Sequence, residues 1–213
     1  EPLVLGGEIN KIRVRRVHLE EDTGRIVHVG GPSTSSGQQA SLIDFNRAGR
    51  PLMELVTEPD IKTAEEAKSF AEDLQLLLRY LEISYADMEK GEMRVEANIS
   101  VSPNKNELGT KVEVKNLNSF KALVFAINFE IERQSDLLRE GKKVAQETRG
   151  WNEAKGITVS QRFKESTHDY RYFSEPDLPP IDTSEIDLET IKLTIPELPK
   201  EKLKRFTREY KLS

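Results

Sequence analysis

Met93-Arg94-Val95-Glu96-Ala97-Asn98-Ile99-Ser100-Val101 alternates apolar and polar residues without a break. Side chains in a strand point to opposite faces in turn, so this run predicts a strand with one buried and one polar face. Lys111-Val112-Glu113-Val114-Lys115 has the same pattern, and a polar loop over residues 103–109 joins the two. They are expected to be neighbours in one sheet. Val95, Ala97, Ile99, Val112 and Val114 would then point inward, leaving Glu96 and Glu113 together on the open face. Such a sheet needs a cover for its apolar side.

The cover is legible on either side of these strands. Thr63 with Glu66 three residues later forms a capping box, and Ala67, Phe70, Ala71, Leu74, Leu77, Leu78 and Leu81 follow at helical spacing. Residues 119–139 predict a second amphipathic helix, closed by Gly141. Residues 144–151 and 157–162 read as a hairpin around Glu153-Ala154-Lys155-Gly156. Nearer the start, residues 12–29 read as two strands joined by a turn at Glu20-Glu21-Asp22-Thr23-Gly24, where Gly24 is free to take a positive φ. Residues 42–45 and 52–56 read as another hairpin around Arg47-Ala48-Gly49-Arg50. Residues 30–37 are rich in Gly, Ser and Pro and read as a mobile loop without the Gly-Lys-Ser/Thr of a phosphate loop. Residues 174–180 hold three prolines and read as a loop, and residues 196–210 read as the start of a helix with Pro199 near its first turn. There is no internal repeat. The class is α+β: a largely antiparallel sheet with two long amphipathic helices.

Across 213 residues, 32% are charged and 36% hydrophobic, the composition of a polar globular chain with enough apolar material for a core. No apolar run approaches the roughly 20 residues of a membrane span. Cysteine is absent, which excludes disulfides, thiolate metal sites and thiol catalysis. The net charge of −5 does not suggest a phosphate-gripping RNA binder. Two basic clusters, Lys11/Arg13/Arg15/Arg16 and Lys200/Lys202/Lys204/Arg205/Arg208, read as solvated faces. The chain starts on Glu1 and stops on Tyr210-Lys211-Leu212-Ser213, so both ends read as cut from something longer.

The polar strand face is where chemistry is expected. Arg94, Glu96 and Asn98 on one strand and Lys111, Glu113 and Lys115 on the next would bring carboxylates, an amide and cations onto one surface. Glu54 lies within apolar Leu52-Met53-Glu54-Leu55-Val56, where a carboxylate calls for a partner or a metal. Glu20, Glu21 and Asp22 place three acids in one turn. Carboxylates interleaved with Lys and Arg suit Mg²⁺ and phosphate chemistry. The same pattern equally describes a solvated face with ordinary salt bridges. His18, His28 and His168 have no metal-motif spacing, although His18 precedes the acidic turn and could assist a metal or a proton transfer. No serine sits in a nucleophile elbow.

Several long blocks resemble one family. They are Asp44-Phe45-Asn46-Arg47-Ala48-Gly49-Arg50-Pro51-Leu52-Met53-Glu54-Leu55-Val56-Thr57-Glu58-Pro59-Asp60, then Asp87-Met88-Glu89-Lys90-Gly91-Glu92-Met93-Arg94-Val95-Glu96-Ala97-Asn98-Ile99-Ser100, and Gly109-Thr110-Lys111-Val112-Glu113-Val114-Lys115-Asn116-Leu117-Asn118-Ser119-Phe120. Glu147-Thr148-Arg149-Gly150-Trp151 and His168-Asp169-Tyr170-Arg171-Tyr172-Phe173 complete them. Ordered over His18 to about Pro199, they are similar to the B subunit of the glutamine-dependent aspartyl/glutamyl-tRNA(Asn/Gln) amidotransferases, the GatB family.

The resemblance implies a cradle-type domain over residues 1–195, catalytic and lacking its N-terminal segment, with residues 196–213 starting a C-terminal helical domain. It implies a cytoplasmic heterotrimer with an amidase subunit, which frees ammonia from glutamine, plus a small third subunit. In that scheme the ammonia reaches the GatB-type chain, which uses ATP and Mg²⁺ to phosphorylate the side-chain carboxylate of mischarged Asp-tRNA(Asn) or Glu-tRNA(Gln). Ammonia then displaces the phosphate. By motif position Glu21, Glu54, Glu96 and Glu113 resemble the family's metal-site acids. Lys115, Arg94 and Arg149 are candidates for phosphate contacts: Glu96, Lys115 and Arg94 in catalysis, Arg149 and Lys115 in cofactor binding. The family's Gly-Leu-Glu-Val-His-like strand has no counterpart here, and of its tRNA-holding C-terminal domains only residues 196–213 are expected to correspond. Ser174 stands where Pro is usual and Tyr85 where Asp is common, both read as tolerable loop changes. The competing reading is a scaffold module that docks the amidase without doing chemistry.

Overall fold

A computed structural model describes residues 2–29, 40–163 and 182–211. The expected loops at 30–37 and 174–180, and His168, lie outside the described residues. The chain divides into two compact units, Glu1–Asp60 and Ile61–Ser213.

The first unit holds β1 (Val4–Leu5), β2 (Glu8–Ile9), β3 (Ile12–Glu21), β4 (Arg25–Val29), β5 (Ala40–Asp44) and β6 (Pro51–Thr57). β2 turns into β3 through Asn10 and Lys11, both at positive φ (53° and 67°), with Ile9 opposite Ile12. Two left-handed residues in a two-residue loop match the right-handed twist of the strands. β3 then pairs antiparallel with β6, Val17 facing Leu55 and His18 facing Glu54, while β4 pairs with β5. The two expected hairpins are therefore replaced by nested ribbons. Strands of suitable length exist where they were predicted, but β3 takes the fourth strand of the group and not the next one. The reason lies in the loops. Asp22 N–H donates to the Arg50 carbonyl (2.8 Å), Gly49 N–H to the Asp22 carbonyl (2.9 Å), and Arg47 pairs with Asp22 at 2.9 Å. These bonds hold residues 22–24 against 45–50 instead of closing either segment on its own strands. Gly24 does not take a positive φ. Its role is close approach: a β-carbon there would stand 3.0 Å from the Phe45 ring.

Arg13 grips Asp60 and Arg15 grips Glu58, each through two side-chain bonds of 2.7–2.9 Å. Two members of the first basic cluster are thus neutralised by the chain that follows β6. The Arg15 hydrogen bonds, outweighing partial desolvation, hold the Glu58 carboxyl below its ordinary range.

In the second unit, α1 (Ala64–Tyr80) has the expected capping box, Thr63 with Glu66. β7 (Val95–Ile99), β8 (Val112–Leu117), α2 (Phe120–Arg139), β9 (Glu147–Asn152) and β10 (Ile157–Phe163) follow. The sheet order is β10-β9-β8-β7, antiparallel except for β8 and β9. That parallel pair is connected through α2, as parallel neighbours need a crossover. Val112, Val114, Leu117 and Ile99 are buried against Ala122, Leu123, Ala126 and Ile127 of α2, and Ala64, Ala67 and Ala71 of α1 join the same core. Burying one such Leu or Ile side chain stabilises by about 1.5–3 kcal/mol. Gly141, at φ +71°, ends α2 where expected. The hairpin around residues 153–156 forms, with β9 starting at Glu147 although Val144 is also buried. A short helix, α3 (Leu188–Thr194), was not legible in the sequence. α4 (Pro199–Tyr210) begins with Pro199 in its first turn. Lys202 lies over the Tyr80 ring at 5.5 Å, tying α4 to α1.

Candidate functional site on the open sheet face

The burial of β7 runs Val95 half-buried, Glu96 exposed, Ala97 half-buried, Asn98 exposed, Ile99 buried. In β8, Val112 and Val114 are buried and Glu113 and Lys115 half-buried. Asn98 stands opposite Glu113, so Glu96 and Glu113 share the open face as expected. Lys115 joins them, its Nζ 3.1 Å from Glu96 Oε1 and 3.8 Å from Glu113 Oε1. On β9, Thr148 lies level with Glu113 and its Oγ1 donates to Glu113 Oε2 at 2.9 Å. Arg94 is exposed just ahead of β7, outside this trio.

Arg149 falls elsewhere. In the β8–β9 register it lies level with Val114, which puts it on the helix side of the sheet. Its Nε donates to Thr158 Oγ1 (2.8 Å), Nη1 to Glu147 Oε1 (2.6 Å) and Nη2 to the Thr158 carbonyl (2.9 Å). Glu130, fully buried on α2, takes a bidentate bond from Arg133 (2.9 and 2.8 Å), one from Gln134 (3.1 Å) and one from Thr158. Arg149 Nε is 3.1 Å from Glu130 as well. The sheet thus separates Arg149 from Lys115, and its donors are engaged in packing α2 onto β9 and β10. Burial alone would raise the Glu130 carboxyl, but the bonds from Arg133, Thr158 and Gln134 outweigh it and hold the group below its ordinary range.

Glu21 and Glu54 lie in the first unit. Their register partners are Pro51 and His18, so alternation sends them to opposite faces of the β3–β6 ribbon. Glu54 is exposed, not enclosed: the apolar strand around it is itself exposed from Pro51 to Glu54. Among the described residues no group of three or more His, Asp or Glu is placed to hold a metal ion. The two carboxylates of the open face still suit Mg²⁺, which commonly takes one or two protein carboxylates plus substrate phosphates. A shallow depression lined by Glu65, Lys68, Lys121, Val124 and Phe125 belongs to the helical layer and not to this face.

Fold and site together define an α+β protein whose helix-backed sheet presents carboxylates and a lysine on its open side. The profile of the GatB/GatE catalytic domain matches residues 2–189, and the chain belongs to that family. It is 48% identical over 208 residues to the B subunit of the aspartyl/glutamyl-tRNA(Asn/Gln) amidotransferase of Carboxydothermus hydrogenoformans, covering 97% of this chain and 43% of the relative. The protein of the same name from Caldanaerobacter subterraneus is 50% identical over 207 residues, 97% of this chain and 42% of the relative. That of Trichodesmium erythraeum is 50% identical over 203 residues, 95% and 40% respectively. The chain therefore spans about two-fifths of the length of these relatives. No helix among the described residues is long and apolar enough to cross a membrane.

Thr148 and Glu130 escaped the sequence reading. Glu130 had a signal: with Leu123, Ile127 and Gln134 it continues the buried stripe of α2 at helical spacing, so a charge there implies a buried partner.

Proposed function

We propose that this chain is the catalytic cradle, residues 1–195 with 196–213 starting a helical domain, of an ATP-dependent tRNA amidotransferase. The intact protein activates the side-chain carboxylate of mischarged Asp-tRNA(Asn) or Glu-tRNA(Gln) for amidation by ammonia from an amidase subunit, with a small third subunit, in the cytoplasm. The observation that carries the reading is the Glu96–Lys115–Glu113 trio on an open face, in a chain whose relatives are named for that reaction.

Chemically, a carboxylate becomes an acyl donor once one oxygen attacks the terminal phosphorus of ATP and ADP leaves. Ammonia then attacks the acyl carbon and the phosphate departs with that oxygen. Mg²⁺, when bound, would supply neutralisation of charge on the transferred phosphoryl group. Glu96 and Glu113 would hold it, and Thr148 fixes the Glu113 carboxylate by its hydrogen bond. Lys115 Nζ lies 3.1 Å from Glu96 and 3.8 Å from Glu113 and would shift onto a phosphate oxygen. Arg94, exposed at the entry to β7, remains a candidate for a phosphate contact.

Glu96→Gln in the intact complex should lower ATP-dependent phosphorylation of mischarged tRNA at least roughly a hundredfold, the scale of one lost preorganised electrostatic contact. Glutaminase activity of the amidase should survive. Single-turnover phosphoryl transfer at the normal rate would favour the scaffold reading instead.

A further inference from the structure

Two β-bulges flank β9, and both point at one residue. Between Val95 and Ala97 the β7–β8 ladder slips, because β8 sets Lys115 and Asn116 against Glu96. Asn116 takes φ +62° there. Between Ser160 and Arg162 the β9–β10 ladder slips as well, and Gln161 is the extra residue. A bulge re-aims a side chain that regular alternation would send elsewhere. The two re-aimed carboxamides meet over Gly150, on the central strand between them. A β-carbon on Gly150 would collide with Gln161 Nε2 and stand 3.0 Å from Asn116 Nδ2. Gly150 lies level with Lys115, so the amides adjoin the trio on the open face.

We infer that Asn116 and Gln161, seated over Gly150, form an oxygen-binding subsite for the phosphate chain of a nucleotide. The argument is chemical. Lys115 and two amide groups offer a row of N–H donors beside carboxylates suited to Mg²⁺, the pairing that a metal-bound polyphosphate requires. Gln161 Nε2 and Asn116 Nδ2 both lie beside Gly150, whose register partner is Lys115, so two amide donors stand next to the lysine. Asn116 holds a left-handed conformation that costs free energy, and such strain concentrates at binding sites. Gly150 is there because any side chain would push the amides off the face.

This inference rests on the open face being the nucleotide site, and the experiment separates the two. Dissociation constants for Mg-ATP are measured on the intact protein in its complex, with melting curves alongside. Gln161→Glu and Asn116→Asp keep shape but replace each donor by a carboxylate. Each should weaken Mg-ATP at least about tenfold, the scale of one hydrogen bond to a charged group. Gly150→Ala should do the same by displacing both amides. Because it also crowds the sheet, the exposed Gln161 and Asn116 variants decide the matter. If Lys115→Met loses Mg-ATP while Gln161→Glu and Asn116→Asp bind it normally, the subsite is wrong and the open-face reading stands. If Lys115→Met also binds normally, both fall.

Discussion

The four-stranded sheet carries an ionic cluster on each face. On the helix side Glu130 is fully buried and the Arg149 side chain keeps 14% exposure. On the open side Glu96 and Lys115 keep 46% and 40%. The residue types are alike, yet the surroundings assign them different work. A buried carboxylate without its partners would be an uncompensated charge, so the Glu130 network specifies how α2 meets β9 and β10. A trio that stays partly open to solvent contributes little to stability, and under the proposed function its lysine would exchange one contact for a ligand. Chemistry is thus expected where the ionic groups are weakly held, and structure where each bond is accounted for.

The comparison can be broken most directly at Glu130. Glu130→Gln should cost about 3–5 kcal/mol, the usual loss when one member of a buried pair is removed. Urea unfolding measures it, and a loss within about 0.5 kcal/mol would put the two faces on the same footing. Acid should sharpen the contrast. The Glu130 carboxyl titrates below its ordinary value in the folded state, so the native protein binds fewer protons than the unfolded chain. Its stabilisation is complete above the unfolded pKa of about 4.3 and is lost as pH falls through the folded value. Stability should therefore drop on acidification below about pH 5, and the Gln variant should drop less steeply. In the first unit, Arg13→Ala removes a bidentate but exposed pair with Asp60, and should cost only about 0.2–1 kcal/mol, less at high salt. The smallest effect belongs to the open face: Glu96→Gln should change unfolding stability by no more than about 0.5 kcal/mol, while abolishing most phosphoryl transfer. A large stability loss there would mean that Glu96 is a structural residue.

The second unit was legible because its signals are local. The capping box at Thr63 and Glu66, the stripes of α1 and α2, and the alternation through Val95–Ile99 and Val112–Leu117 each act within a few residues. The shared face of Glu96 and Glu113 followed from period two and one antiparallel pairing. The first unit was less legible. Its strands were found, but adjacent-strand and nested pairings satisfy the same alternation. The choice between them rests on contacts such as Asp22 with Arg47 and Arg50 that join distant loops.

Arg149 shows the same limit within the site. Glu147-Thr148-Arg149-Gly150-Trp151 shows no apolar/polar alternation, so the sequence does not say which face of this strand meets the helices. The parallel register with Val114 decides it, sending Thr148 and Gly150 to the open face and Arg149 inward. The bulges at Asn116 and Gln161 were equally hidden, since each exists only against a partner strand. By itself the sequence determined the longer elements, the capping box of α1, the α+β class and the family, because short-range sterics and periodic burial act along the chain. Tertiary structure alone decided which strands pair, which face each charge occupies and which amides meet over Gly150, because those depend on residues brought together from far apart.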